Sequence, residues 1–257
     1  MAEVGNSLKL VSCNIEGDRH LPEVVAFVKR ETPDIVCFQE VYQENVQNLS
    51  QKFGMYSYFF PMMKIEKPNA MNFSLHGLWG ITIFSRLKPS KVDCFYYTGR
   101  KDNIPVFDDT NPNSPNRVLV WVELEKNSSV IRIATTHFTW SPKGQTTSLQ
   151  LEKFTILNSK LSAIGDLVLC GDFNAPRGKE IWSLLSAKYQ DHIPPEVTTT
   201  IDPKLHRAGD IQYVVDALFS TPEYEVTSVK VVSGVSDHMG IVGTVSLYSS
   251  APGAEKR

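Results

Sequence analysis

Long apolar runs, paired cysteines and a surplus of either charge are all missing from this 257-residue chain. No stretch approaches the roughly 18 apolar residues that a bilayer-spanning helix needs, so no transmembrane segment is expected. Met1 to Ser7 carry no apolar signal region. The four cysteines, Cys13, Cys37, Cys94 and Cys170, form no CxxC pair and no Cys/His pattern, which excludes the usual zinc modules. Three of them lie inside apolar, strand-like runs and read as small core residues. A formal net charge of −2 gives no global pull toward a polyanion, although a local basic patch is compatible with it. The absence of a GxSxG elbow removes a serine hydrolase of that type. The expectation is a reduced, cytoplasmic monomer, or a nuclear one in a eukaryote.

What is present is an ordinary globular composition, 42% hydrophobic and 21% charged, enough for one large domain. Apolar patterning predicts strands over 8–13, 34–39, 81–84, 91–97, 118–124, 130–136, 167–170, 213–219, 225–232 and 240–247. Helical spacing is predicted over 21–30, 43–53, 148–161 and 179–185. Pro33 ends the first of these, and Gly54 caps the second. Asn127-Ser128 suggests a hairpin, whereas 99–116 reads as one long polar loop. No internal sequence repeat is visible. Many strands with few helices suggest an α/β fold of two packed sheets with helices outside. The domain is expected over 1–248, with 249–257 a disordered tail.

Polar residues collect where these strands end. Asn14, Glu40, His137 and Asp172 each follow an apolar run, Asn174 stands two beyond Asp172, and Asp237-His238 precedes the last run. Gly171 frees the backbone just before Asp172. Asp216 lies in an apolar stretch, where an unpaired carboxylate would cost several kcal/mol, so a buried partner is expected for it. Asp210 is a rival, but it falls in a polar loop.

The segments Val11-Ser12-Cys13-Asn14-Ile15, Gln39-Glu40-Val41, Gly80 to Arg86, Thr135-Thr136-His137-Phe138, Gly171-Asp172-Phe173-Asn174, Tyr213 to Phe219 and Ser236-Asp237-His238 occur in one order along nearly the whole chain. Together they resemble the endonuclease/exonuclease/phosphatase superfamily of metal-dependent phosphoester hydrolases. The resemblance implies a four-layer α/β sandwich, two mainly antiparallel sheets flanked by helices, with the site at one edge.

It also implies roles. Glu40 and Asp237 would hold Mg²⁺ or Mn²⁺, with Asn14 bridging metal, Glu40 and phosphate. Hard cations of this kind favour carboxylate, amide and water oxygens. Asp172 would deprotonate the attacking water and Asn174 would hold it. His238, oriented by Asp216, would stabilise charge on the phosphate. His137 would contact the scissile phosphate or leaving group. Arg117 resembles a phosphate-binding arginine, and Trp140, three residues past His137, would wall the site. Phe73 and Trp79 are further candidates for stacking on a base or tyrosyl ring.

The surroundings of Asn14, Glu40 and His238 look closest to 5′-tyrosyl-DNA phosphodiesterases, which implies a nucleic-acid-end substrate and a DNA-repair role. Gly-Asp-Phe-Asn departs from the Gly-Asp-Thr-Asn usual in that branch. Phosphoinositide, sphingomyelin-like or nucleotide esters form the alternative, and a non-catalytic binding module with the same fold is the rival from another class.

Overall fold

The run Leu8–Asn14 is buried on both of its faces, so such a strand must be covered from two sides. A computed structural model of the chain, describing residues 7–66, 69, 72–73, 77–127 and 129–248, shows what covers it. In chain order the elements begin with β1 (Leu8–Asn14), α1 (Leu21–Glu31), β2 (Ile35–Tyr42), α2 (Gln43–Phe53), β3 (Tyr56–Ile65) and β4 (Gly77–Ser85). They continue with β5 (Lys91–Thr98), β6 (Arg117–Lys126), β7 (Ser129–His137), α3 (Ser148–Ile164), β8 (Val168–Asp172) and α4 (Glu180–Ser186). The chain closes through β9 (Gln190–Asp191), β10 (Asp216–Ser220), β11 (Tyr224–Val232) and β12 (Gly240–Leu247).

The strands form two six-stranded sheets, ordered β11-β12-β1-β2-β4-β3 and β5-β6-β7-β8-β10-β9. Each sheet has one parallel pair at its centre, β1 with β2 and β7 with β8, and antiparallel neighbours on either side. A helix crosses over within each parallel pair, α1 in one and α3 in the other, as parallel pairing demands. The two sheets thus share one strand arrangement, although β12 and β1 are not consecutive in sequence as their counterparts β6 and β7 are, and the sequence shows no repeat.

Side-chain alternation sets the layers. Leu10, Ile35 and Cys37 point into a core shared with Val120, Ile133 and Cys170 of the other sheet. Val11, Cys13, Val36 and Phe38 point the opposite way, against Val24, Phe27 and Val28 of α1 and Leu49 and Phe53 of α2. Phe154, Leu157 and Leu161 of α3 and Trp182 and Leu185 of α4 join the shared core's cluster from the second sheet's side. The result is the expected four-layer α/β sandwich.

Several expectations shift in detail. β3 was not among the expected strands. Pro61 sits at an irregularity in the β3–β4 pairing on an edge strand, where proline is tolerated. The strand expected over 213–219 begins only at Asp216. Val214 and Val215 are buried, but their carbonyls accept from Arg177 and Phe173 rather than from a neighbouring strand. The first helix runs on to Glu31, and Thr32 in the left-handed region (φ 46°) caps it before Pro33. The β6–β7 hairpin falls where expected, pairing Lys126 with Ser129. The tail at 249–257 lies outside the described residues.

Candidate active site

Binding sites in sheets of this kind form beyond the carboxyl ends of parallel strands. Both central pairs deliver their carboxyl ends to one edge. Asn14 ends β1 opposite Gln39, next to Glu40, and His137 ends β7 opposite Asp172 at the end of β8. β12 and β10 run antiparallel to these pairs, so their amino ends arrive at the same place. Asp237 and His238 just precede β12, Asp216 opens β10, and Arg117 opens β6.

Local backbone chemistry aims the side chains. Glu40 has φ 60° at an irregularity in the β2–β4 register between Phe38 and Val41. Such a bulge re-aims a side chain out of the strand's regular alternation. A Cβ on Gly171 would lie 2.1 Å from the Thr136 carbonyl oxygen, so only glycine lets β8 approach β7 this closely before Asp172. Asn174, at φ 49°, donates its backbone N–H to Asp172 Oδ1 at 2.8 Å. The loop is therefore an Asx-turn that also presents a carboxylate.

The resulting contacts are dense. Asn14 Nδ2 donates to Asp172 Oδ2 at 3.2 Å. Asn174 Nδ2 lies 3.5 Å from the same oxygen and donates to the Phe138 carbonyl at 3.2 Å. His137 Nε2 is 3.4 Å from Asp172 Oδ2 and 3.9 Å from Glu40 Oε1. His238 Nδ1 is 2.8 Å from Asp216 Oδ2, and its Nε2 faces Asp172 Oδ2 at 3.9 Å. Asp216 has thus found the buried partner that its setting required. Asp210 is instead bonded to Gln212 in an exposed loop.

The two histidines are driven in opposite directions. Burial lowers the pKa of His137 to about 3, with Arg117 and His238 adding to the effect and Asp172 failing to offset it. His137 is therefore neutral. Burial opposes charge on His238 too, but Asp216, Asp172 and Asp237 overcome it and raise its pKa well above the usual value. His238 is an imidazolium. Burial and the nearby Asp237 raise Glu40 to about 8, against the pull of its Asn14 hydrogen bond and of His238, while Asp172 adds to the rise.

That last shift tests the site for a cation. The like charge of Asp237 on Glu40 is charge that a divalent cation would neutralise. Glu40, Asp237 and Asn14 offer oxygen donors only, and all three line the same cleft. Asp172, Asp216 and His238 also come within 4.8 Å of one another. There the 2.8 Å Asp216–His238 contact already engages Nδ1 of the ring and a carboxylate oxygen, so we read that trio as a hydrogen-bonded group. The residues present fit a hard divalent cation at Glu40 and Asp237.

These groups form the floor of a cleft of about 470 Å³. Arg117 is 4% exposed and lines it, with its Nη atoms bonded to the carbonyls of His137 and Pro112 and, among the described residues, no partner at its buried Nε. Trp140 also lines the cleft and is 40% exposed. Phe73 and Trp79 line it as well, but they pack on each other edge to face at 4.2 Å and are mostly buried, so their rings serve the wall first. Arg177, in the loop after Asn174, donates to the carbonyls of Ile193, Pro194 and Val197.

Sequence reasoning missed the rim. Met62, Met63 and Phe107 give the cleft an apolar side, while His206 and Arg207 line it from the loop after Thr200. Glu16, two residues past Asn14, is buried and contacts Arg207. The spacing Asn14–Glu16 mirrors Asp172–Asn174 and was the available signal for it. His76 lies outside the described residues.

A family model for the endonuclease/exonuclease/phosphatase family matches residues 11–238. The chain belongs to this family. Its members are generally divalent-metal-dependent hydrolases, acting as phosphoesterases or nucleases. A search of curated proteins finds no match. Among solved structures, an endonuclease/exonuclease/phosphatase from Beutenbergia cavernae superposes with a TM-score of 0.73 at 17% identity, covering 97% of this chain and 74% of the other. The human Nocturnin catalytic domain with bound sulfate gives 0.70 at 18% identity, covering 94% of each chain. A humanized D. rerio TDP2 carrying 14 mutations gives 0.65 at 16% identity, covering 93% and 98%. At these identities the likeness concerns the fold.

Proposed function

We propose that the chain is an Mg²⁺- or Mn²⁺-dependent phosphodiesterase in which water attacks phosphorus in line, without a covalent intermediate. The observation that carries this reading is the convergence of Glu40, Asp237, Asp172 and the His238–Asp216 pair on one cleft floor. A divalent cation held by Glu40, Asp237 and Asn14 supplies charge neutralisation at the phosphate.

The chain's own groups do the rest. Asp172, fixed by Asn14 and by the Asn174 backbone amide, accepts the proton of the attacking water. His238, kept cationic by Asp216, donates from Nε2 to a phosphoryl oxygen as negative charge grows there. Neutral His137 sits beside Asp172, where it contacts the phosphate or leaving group. Arg117 brings a mostly buried guanidinium to the cleft wall, a group suited to a phosphate oxygen.

The leading substrate is a nucleic-acid end such as 5′-phosphotyrosyl DNA. Exposed Trp140 offers a face for stacking a base or tyrosyl ring beside the phosphate. The apolar side made by Met62, Met63 and Phe107 favours a second reading, a phosphodiester with an apolar alcohol such as a sphingomyelin-like lipid. A panel of 5′-tyrosyl oligonucleotide, abasic duplex, RNA, inositol phosphate and sphingomyelin, each with Mg²⁺, Mn²⁺ or EDTA, tests both levels. Metal-dependent turnover led by the tyrosyl oligonucleotide is expected. Turnover that survives EDTA, or none with any ester, removes the phosphodiesterase reading; a lead by sphingomyelin removes only the substrate.

A further inference from the structure

Glu16 and Arg207 make a contact that the chemistry above does not use. Glu16 is 3% exposed and stands at φ 48° just after the β1 end. Its Oε1 lies 3.3 Å from Arg207 Nη2 and 3.3 Å from Arg19 Nη1, and its Oε2 lies 3.2 Å from His20 Nε2. A carboxylate buried this far is costly unless its partners are well placed. Here it fixes a guanidinium that lines the same cleft as Glu40 and Asp237.

The loop carrying Arg207 is also tied to the catalytic strand end. Asp202 N–H donates to the Asp237 carbonyl at 2.8 Å, and Met239 N–H donates to the Thr200 carbonyl at 2.7 Å. Asp202 Oδ2 accepts from Gly234 N–H at 2.7 Å. The loop is thereby anchored at Thr200 and Asp202, and the half-exposed Arg207 side chain contacts Glu16, next to the reacting centre but not part of it. A guanidinium held in this way suits a phosphate, because the contact is charge-assisted and the side chain is already positioned. A cleft of about 470 Å³ falls in the size range that encloses one small molecule. Whatever Arg207 meets therefore belongs to the same molecule as the scissile phosphate.

We infer that Arg207 is a specificity-determining residue that binds a second phosphate of the substrate, and that Glu16 is its positioning residue. This deepens the phosphodiesterase reading and rests on it. The favoured substrates are then nucleotides or strand ends that carry another phosphate on the sugar bearing the scissile one. A phosphodiester with a single anionic centre, sphingomyelin included, gains nothing from Arg207.

Calorimetric titration of the Mg²⁺-loaded protein with thymidine 5′-monophosphate and with thymidine 3′,5′-bisphosphate tests this directly. Wild type is expected to bind the bisphosphate roughly tenfold tighter, the scale of one charge-assisted contact. Arg207→Ala should erase that ratio, Arg207→Lys should restore part of it, and Glu16→Gln should give an intermediate ratio. Should Glu16→Gln fail to fold, the two Arg207 variants decide alone. A wild type that does not distinguish the nucleotides, or an unchanged ratio in Arg207→Ala, overturns the inference. Metal-dependent hydrolysis of the p-nitrophenyl ester of thymidine 5′-phosphate reports separately on the phosphodiesterase reading, so the two can fail independently.

Discussion

Glu40, at the edge of the first sheet, is partly buried, and desolvation together with nearby like charge raises its pKa to about 8. Asp172, at the matching edge of the second sheet, is held by the Asn14 side-chain amide and the Asn174 backbone amide. The two sheets share one strand arrangement, yet they surround their acids differently. One acid faces like charge; the other is already oriented by donors. Similar layouts therefore provide two platforms, and the residues at and beyond the strand ends make them differ.

The sharpest way to break this comparison is to remove the second sheet's acid. Asp172→Asn should lower turnover by roughly 10²–10⁴-fold, the range for a lost general base, with the melting temperature kept. Raising the metal concentration should not rescue it. Glu40→Gln should behave differently, weakening metal affinity by about 10–100-fold or more, by analogy with losses around metal sites. Its activity should recover as Mn²⁺ is raised, and its Mn²⁺-induced rise in melting temperature should need more metal. Equal rescue of both variants would erase the division of labour.

The contact between His238 and Asp216 joins the two sheets, because His238 precedes β12 and Asp216 opens β10. His238→Asn and Asp216→Asn should each cost on the order of 10²-fold in turnover, a typical acid–base contribution. The double variant should cost far less than the product of the two losses, since they act as one unit. Fully multiplicative losses in kcat would show two independent groups.

The smallest expected effect lies away from the cleft. Glu31 of the first sheet's helix layer contacts Lys9 at 3.0 Å and Lys230 at 2.9 Å. Its pKa falls from 4.5 to about 2, chiefly through the Lys230 hydrogen bond, against burial and with help from Lys9. A lowered carboxyl pKa stabilises the fold above the ordinary value, and that stability is lost as pH falls from about 4.5 toward 2. Glu31→Gln should cost about 1–2 kcal/mol near neutral pH, discounted because both lysines are partly exposed. In urea titrations the difference should shrink as the pH is lowered through that window.

What could be read from the sequence follows from the same geometry. Asn14, Glu40, His137, Asp172 and His238 were legible because each follows or precedes a strand whose burial the apolar pattern announces. The fold was legible for a similar reason, since near-continuous apolar runs mark strands covered on both faces. Glu16, Arg207 and the apolar side at Met62 and Phe107 were not. They come from loops, or from an edge strand interrupted by Pro61, and loop placement depends on contacts that no local pattern encodes. Phe73 and Trp79 were legible as aromatics but not as a mutually packed pair.

Among the described strands, β12 lies between β11 and β1, so the first sheet joins segments far apart in the sequence. Asp237 and His238 travel with β12. Without that pairing the cleft would keep Glu40 and Asp172 and lose both of these from its lining. One backbone ladder between remote stretches of sequence thus completes the cavity wall.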